Sequence, residues 1–253
     1  MLKKEMLQIA QLQLATNMNC TPNDFNSSND EVIFTIAKDN PSRMPFPRNK
    51  RHLEILSMGK SVVVTASSDI LDIVKSMLES KHRDEVFSMP FVCGHGLFYL
   101  PDMAQITPTA SPDGFTYEII EHNKIPALYK YEGFRNALQY DANHPRPDVL
   151  AITAKKDGQI VGIAGASNDC AKMWQIGIDV LPEYRQFGLA TYLVNQLTLS
   201  ILELGIIPYY GSASSNIVSQ RVARRVGYEP AWVHACKFDY CLLELMQTIL
   251  ESS

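Results

Sequence analysis

The order of predicted elements gives an α+β fold, and three observations carry it. Along Trp174–Val180, the apolar residues Trp174, Ile176, Ile178 and Val180 alternate with Gln175, Gly177 and Asp179, which is the period of a strand. Leu189, Leu193, Leu197, Ile201 and Leu204 then fall at steps of three or four and mark one face of a helix over Thr191–Leu204. Val149–Ala154 and Gln159–Ala166 read as two strands joined across Lys155-Lys-Asp-Gly158, whose Asp-Gly pair is a hairpin signal.

The remaining elements follow in chain order. Residues 2–16 form an amphipathic helix, because Gln8, Gln11 and Gln13 interrupt what would otherwise be a signal-peptide core. Cys20–Asp30 is polar and turn-rich, and Glu31–Ala37 is a strand. Asn40–Arg51 is a proline-containing basic loop with Arg43, Arg48, Lys50 and Arg51. The valine triplet in Ser61–Thr65 marks a buried strand, and Ser67-Ser-Asp69 offers N-caps for a helix reaching Ser80. Phe91–Leu100 reads as a strand and turn around His95, and the proline-rich run Pro101–Asp113 as a linker. The predicted division is therefore a smaller α+β domain over 1–112 and a second domain over 113–253.

In the second domain, Phe115–Glu121 is a strand. Ile125–Tyr140 is an amphipathic helix with Leu128, Tyr131, Phe134, Ala137 and Leu138 inward. Ser167–Lys172 is a polar loop before the strand at Met173. Gly205 ends the helix after that strand, and Ile206–Tyr210 is the next strand. A helix with Val218, Val222 and Val226 inward runs from Asn216 to Gly227. Tyr228–Phe238 is the last strand and Cys241–Leu250 the last helix.

Composition narrows the function. The chain has 253 residues, 46% of them apolar, so it can bury a sizeable core. A formal charge of -4 supplies no basic surface for nucleic acid, and no apolar run reaches the length of a membrane span. The five cysteines are scattered without metal-ligand spacing, which reads as reduced thiols in a cytoplasmic protein with no metal.

The stretch Arg185-Gln-Phe-Gly188-Leu-Ala190 has the makings of an anion site. The first amides of a helix have no partner within it, the helix dipole is positive there, and Gly188 and Ala190 admit a phosphate close to the backbone. Arg185 adds a fixed positive charge. An ordinary strand–loop–helix with an incidental glycine shows the same spacing.

Arg185-x-x-Gly188-x-Ala190 resembles the (Gln/Arg)-x-x-Gly-x-(Gly/Ala) acetyl-CoA signature of the GNAT superfamily of N-acetyltransferases, and Val180-Leu-Pro-Glu-Tyr184 resembles that family's strand exit. Asn216-x-x-Ser219, followed by Gly227-Tyr228-Glu229-Pro230, resembles a second family segment. The resemblance covers roughly residues 114–240. It implies a three-layer fold, in which a mixed, mainly antiparallel sheet flanked by helices splays at its central strand. It also implies acetyl-CoA as cosubstrate, held by backbone groups of Ile178, Asp179 and Val180. Amides from Gln186, Phe187, Gly188, Leu189 and Ala190 would hold the pyrophosphate with Arg185, and Asn216 would contact the pantetheine arm with Ser219 near it.

The implied reaction is acetyl transfer to a primary amine by direct attack in a ternary complex, with a small-molecule acceptor preferred to a protein. The family's general-acid tyrosine, seven residues after the asparagine, is here Ala223. Candidate acids are Tyr209, Tyr210, Ser219 or water; candidate bases are Asp179 and Asp169, although Asp179 more simply fits a strand-end carboxylate that faces solvent or caps a turn. The missing tyrosine also admits a catalytically silent acyl-CoA sensor. The N-terminal domain is expected to shape the acceptor cleft or to mediate a homodimer.

Overall fold

A computed structural model describes residues 2–27, 31–45 and 51–252. In chain order the elements are α1 (Lys3–Met18), β1 (Val32–Ile36), β2 (Leu53–Ser57), β3 (Val62–Ala66), α2 (Leu71–Leu78), α3 (Arg83–Phe87), β4 (Val92–Pro101) and β5 (Thr116–Glu121). They continue with β6 (Asp148–Lys156), β7 (Gln159–Cys170), β8 (Met173–Val180), α4 (Leu189–Glu203), β9 (Ile207–Ala213), α5 (Ile217–Val226), β10 (Tyr228–Phe238) and α6 (Tyr240–Glu251). Packing divides the chain into one unit of Met1–Met6 with Tyr99–Pro230 and another of Leu7–Phe98 with Ala231–Ser253.

The unit that contains β5–β9 is a sheet with cover on both faces. The strands run in the order β9-β8-β7-β6-β5. β5 through β8 pair antiparallel, and only β8 with β9 is parallel. Asp157 (φ 50°) and Gly158 (φ 81°) make the predicted hairpin between β6 and β7, with both central residues left-handed as that turn demands. Ile120, Ile125, Leu128, Phe134, Leu138, Ala151 and Ile163 form the core beneath residues 122–140. On the other face, the side chain of Leu193 on α4 lies over Gly162. Residues 101–113 belong to this unit by packing. Buried Asn195 of α4 accepts from the Thr109 amide (3.1 Å) and donates to the Thr107 carbonyl (3.0 Å), and these bonds strap the proline-rich run down.

Two expectations for this unit change. Ile125–Tyr140 is not an α-helix: His122–Leu128 is a tight 3-10 coil and turns follow. Pro126 removes an amide from the segment, and Gly133 sits at φ +92°. Leu128, Phe134, Ala137 and Leu138 are buried as expected, but Tyr131 is 37% exposed. Ser167–Cys170 is not a loop but the end of β7, with Ser167 opposite Gln175 and Asn168 opposite Trp174. Ser167 and Asp169 are polar yet buried, because the Ser167 hydroxyl donates to the Asp169 carboxylate at 2.7 Å.

The other unit orders β1-β3-β2 and the later half of β10, with β1 and β3 parallel and β2 antiparallel to both neighbours. Leu53, Ile55, Val62, Val64 and Ala66 face a core with Val74, Met77 and Leu78 of α2 and Leu243 of α6. On the opposite face, Thr35 and Thr65 both donate to the Met18 carbonyl of α1, at 2.6 and 2.8 Å. The helix from Ser67 to Ser80 begins later than expected, with Ile70 at its N-cap. In the basic loop, Arg48 and Lys50 lie outside the described residues, as do residues 28–30 of the polar loop before β1. Arg43 turns inward, and Arg51 lies 3.8 Å from the Tyr240 ring centroid.

β2 escapes a pattern reading because Glu54 interrupts its apolar run, yet Glu54 is buried. Arg43 donates to Glu54 Oε1 at 2.6 Å, and His52 Nε2 lies 3.4 Å from Oε2. That second separation is long for a hydrogen bond. Burial alone would raise the Glu54 carboxyl, but His52, the charge of His234 and Arg43 hold it below the ordinary range. Its contribution to stability is therefore present above the unfolded glutamate value of about 4.3 and is lost as pH falls through the lower folded value. Glu54→Ala leaves the Arg43 guanidinium buried without its carboxylate and is expected to cost about 3–5 kcal/mol in urea unfolding at neutral pH. A loss below about 1 kcal/mol would sink this account of the pair.

Candidate active site at the splayed strands

The β8–β9 ladder runs from Met173 opposite Ile207 to Ile176 opposite Tyr210 and then stops, although β8 continues to Val180 and β9 to Ala213. On its other edge β8 stays paired with β7 as far as Val180 opposite Gly162. The Leu181 amide donates to the Val161 carbonyl at 2.9 Å, which fixes the alternation. Residues 177, 179 and 181 turn their backbone groups toward β7, and Ile178 and Val180 turn theirs into the gap. Of the three residues named from the sequence, Ile178 and Val180 have backbone groups that β7 leaves unpaired, and the tertiary pairing turns Asp179's backbone toward β7.

The loop at the open end is held in an uncommon conformation. Pro182–Tyr184 is a single 3-10 turn; Gln186 then has φ +71° and Gly188 φ +82°, with Gly188 as N-cap of α4. Left-handed backbone suits glycine and strains glutamine, and such strain clusters at ligand sites. Phe187, Leu189 and Ala190 complete the loop, with Phe187 59% exposed and its ring centroid 6.0 Å from that of Phe115. Arg185 is exposed, and its Nε donates to the Val180 carbonyl at 3.1 Å. That bond ties the charge to the mouth of the gap and occupies one backbone acceptor there.

Tyr210 sits where the ladder ends, and its hydroxyl lies 2.8 Å from Ser219 Oγ on α5. The two residues, nine apart in sequence, are thus brought together at the vertex. Burial pushes the Tyr210 phenol above its ordinary value, partly offset by the Ser219 hydrogen bond. Asn216 is the N-cap of α5, with its side chain accepting from the Ser219 amide at 3.1 Å. Ala223, at the position of the family tyrosine, is fully buried.

Asp179 is engaged elsewhere. Its carboxylate accepts from the Asn136 amide (2.7 Å), the Asn136 side chain (2.7 Å) and the Ala137 amide (3.2 Å). This is the turn-capping arrangement: the carboxylate fastens the turn at Asn136 and Ala137 over the sheet. Asp169 is also buried. It pairs with Arg146 at 3.4 Å and accepts from Tyr209 in a short hydrogen bond, while Arg146 reaches Gln175 at 3.1 Å. Burial raises both the Asp169 carboxyl and, far more, the Tyr209 phenol. Sequence reasoning misses Arg146 as the partner that makes this buried carboxylate tolerable, because the two lie 23 residues apart in sequence.

Among the described residues no helix is long and apolar enough to cross a membrane. A family model for GNAT acetyltransferases matches residues 146–232. No curated protein matches the chain. Among solved structures, a candidate GNAT-family acetyltransferase from Novosphingobium aromaticivorans is 19% identical over 56% of this chain and 63% of its own, with TM-score 0.41. A GCN5-related N-acetyltransferase-like protein from Streptococcus suis is 20% identical over 72% of each chain, with TM-score 0.45. A GCN5-related N-acetyltransferase from Sphaerobacter thermophilus is 15% identical over 64% of this chain and 57% of its own, with TM-score 0.47. The open central strand, the left-handed loop at the start of α4 and the family match all fall in one stretch, and residues 146–232 form a domain of the GNAT acetyltransferase family.

Proposed function

We propose that this protein transfers an acetyl group from acetyl-CoA to a primary amine of a small molecule, by direct attack in a ternary complex. The observation that supports this most is the β8–β9 ladder ending at Ile176 and Tyr210 while both strands run on. A gap of that kind offers Ile178 and Val180 backbone groups to an extended amide-bearing chain such as pantetheine, in the manner of an added strand. The residues fit the rest of the group as well. The α4 N-terminus with Gly188 left-handed is suited to a pyrophosphate, and Arg185 stands beside it.

In this reading the neutral amine adds to the thioester carbonyl carbon, the carbon–sulfur bond breaks, and the leaving sulfur takes a proton. Tyr210 supplies that proton, and the proton lost by the amine restores it through Ser219 and solvent. Positioning by the gap supplies much of the rate. Tyr210→Phe is expected to lower kcat about 100-fold with KM for acetyl-CoA little changed. Steady-state free-thiol release with a responsive amine measures this; a kcat within a factor of two of the parent would remove Tyr210 from the proton path.

The first experiment is thermal unfolding with acetyl-CoA, CoA, ATP and NAD in turn, followed by an amine screen for thiol release. At a hundred times the dissociation constant, a ligand specific to the folded state adds about 2.7 kcal/mol. A rise in Tm with acetyl-CoA and CoA alone supports the reading, and no rise with either rejects it. A rise without turnover for any amine favours the silent sensor, to which the buried Ala223 lends its weight.

A further inference from the structure

A cavity of about 230 Å³ opens between the 3-10 coil of residues 122–128 and the segment leading into β6, and no residue of β8, β9 or the α4 loop lines it. Its walls are apolar at Pro126, Ala142 and Pro147, and polar at His122, Asn123, Tyr129 and Asp148. Asp148 is 3% exposed. Its Oδ2 accepts from the Tyr129 hydroxyl and the Gln139 amide, both at 2.9 Å. A carboxylate has about four acceptor positions, so capacity remains.

The His122 ring has one tautomer available when neutral. Its Nδ1 lies 2.6 Å from the Asp148 backbone carbonyl, and a carbonyl only accepts. Nδ1 therefore carries the hydrogen, and Nε2 carries the lone pair. The Tyr129 hydroxyl proton is already given to Asp148. The ionisable side chains at the cavity, His122, Tyr129 and Asp148, thus present acceptors, and the Asn123 side chain offers both an acceptor and a donor. Burial pushes the Asp148 carboxyl above the ordinary aspartate range, against the Gln139 amide, the Tyr129 hydroxyl and the charges of His144 and Arg146. Arg146 directs its guanidinium to Asp169 and Gln175, at 3.4 and 3.1 Å. A desolvated carboxylate beside a second acceptor is relieved by a ligand that brings both positive charge and N–H donors.

We propose that this cavity binds the ammonium group of a small aliphatic amine, with Asp148 as counter-ion, His122 Nε2 as a further acceptor, and Pro126, Ala142 and Pro147 around the stem. At about 30 Å³ for each water-sized group, the volume sets an upper limit of about seven heavy atoms on the ligand. The proposal does not rest on acetyl transfer, since it uses none of the residues of the splayed strands.

The test is an NMR titration of the full-length protein with n-butylammonium, with n-butanol as the uncharged probe of similar shape. Saturable shifts at residues 122–148 are expected with the ammonium, and binding at least about tenfold weaker with the alcohol, equivalent to about 1.4 kcal/mol. Asp148→Asn should weaken ammonium binding by at least the same factor. Ala142→Leu fills the cavity without touching the Asp148 hydrogen bonds, so it should abolish binding even where the Asp148 variant does not fold. No saturation by about 50 mM, equal binding of the alcohol, or binding unchanged in Ala142→Leu would each overturn the proposal. Acetyl-CoA binding, measured on the same samples, reports separately on the splayed-strand site.

Discussion

Gly188→Asp is expected to weaken acetyl-CoA binding at least about 1000-fold, close to 4 kcal/mol, with the fold intact. Three effects add. Gly188 has φ +82°, a region that disfavours any side chain. An aspartate at the N-cap would also turn its own carboxylate onto the first amides of α4, the groups a pyrophosphate would use. Its negative charge would then repel the ligand's phosphates; at about 4 Å that repulsion is roughly 1 kcal/mol in water and about 4 kcal/mol at an effective dielectric of 20. The same capping contact offsets the backbone strain, so the thermal midpoint should move little. Calorimetric titration with CoA decides the matter, and binding within fivefold of the parent would mean that the loop holds no phosphate.

Gly177→Ala is expected to destabilise the protein by about 3 kcal/mol, near the upper end for an overpacked site. A Cβ at Gly177 would stand 1.8 Å from the Asn136 carbonyl oxygen, and its partner across the ladder, Gly165, has the Ala137 oxygen at 2.0 Å. Both obstacles are backbone, so a rotamer change cannot relieve them. The turn over the sheet would have to lift, and its three hydrogen bonds to Asp179 would go with it. Gly158→Asn is the contrast: nothing lies within 4 Å of a Cβ there, and asparagine tolerates the left-handed turn. Urea unfolding of both variants tests the assignment. A cost below about 1 kcal/mol for Gly177→Ala would show that the turn does not rest on these glycines.

This docking explains what the sequence reading misplaces. A glycine inside a strand often marks a close backbone approach, and Gly165 and Gly177 carry that signal. The segment 125–140 carries apolar residues at helical spacing, so periodicity favours a helix. What competes is a turn whose backbone lies flat on two glycines and whose amides end on Asp179. The same contact commits the Asp179 carboxylate to residues more than forty positions earlier in the chain. Tyr210 and Ser219 depend on the fold in the same way. Each is nameable from sequence, and their pairing at the vertex depends on where α5 crosses β9.

The sequence by itself determined what depends on neighbours along the chain. The alternation of β8, the turn at Asp157 and Gly158, and the small residues at the start of α4 are all local features. A short window encodes them through side-chain period and backbone freedom. The tertiary structure alone decided which carboxylate does what. Asp148, Asp169 and Asp179 are all aspartates on strands of one sheet. One lines a cavity, one is paired with Arg146, and one fastens a turn. Their roles differ because a buried carboxylate is governed by whichever donors the fold brings to it, and those donors come from distant parts of the chain.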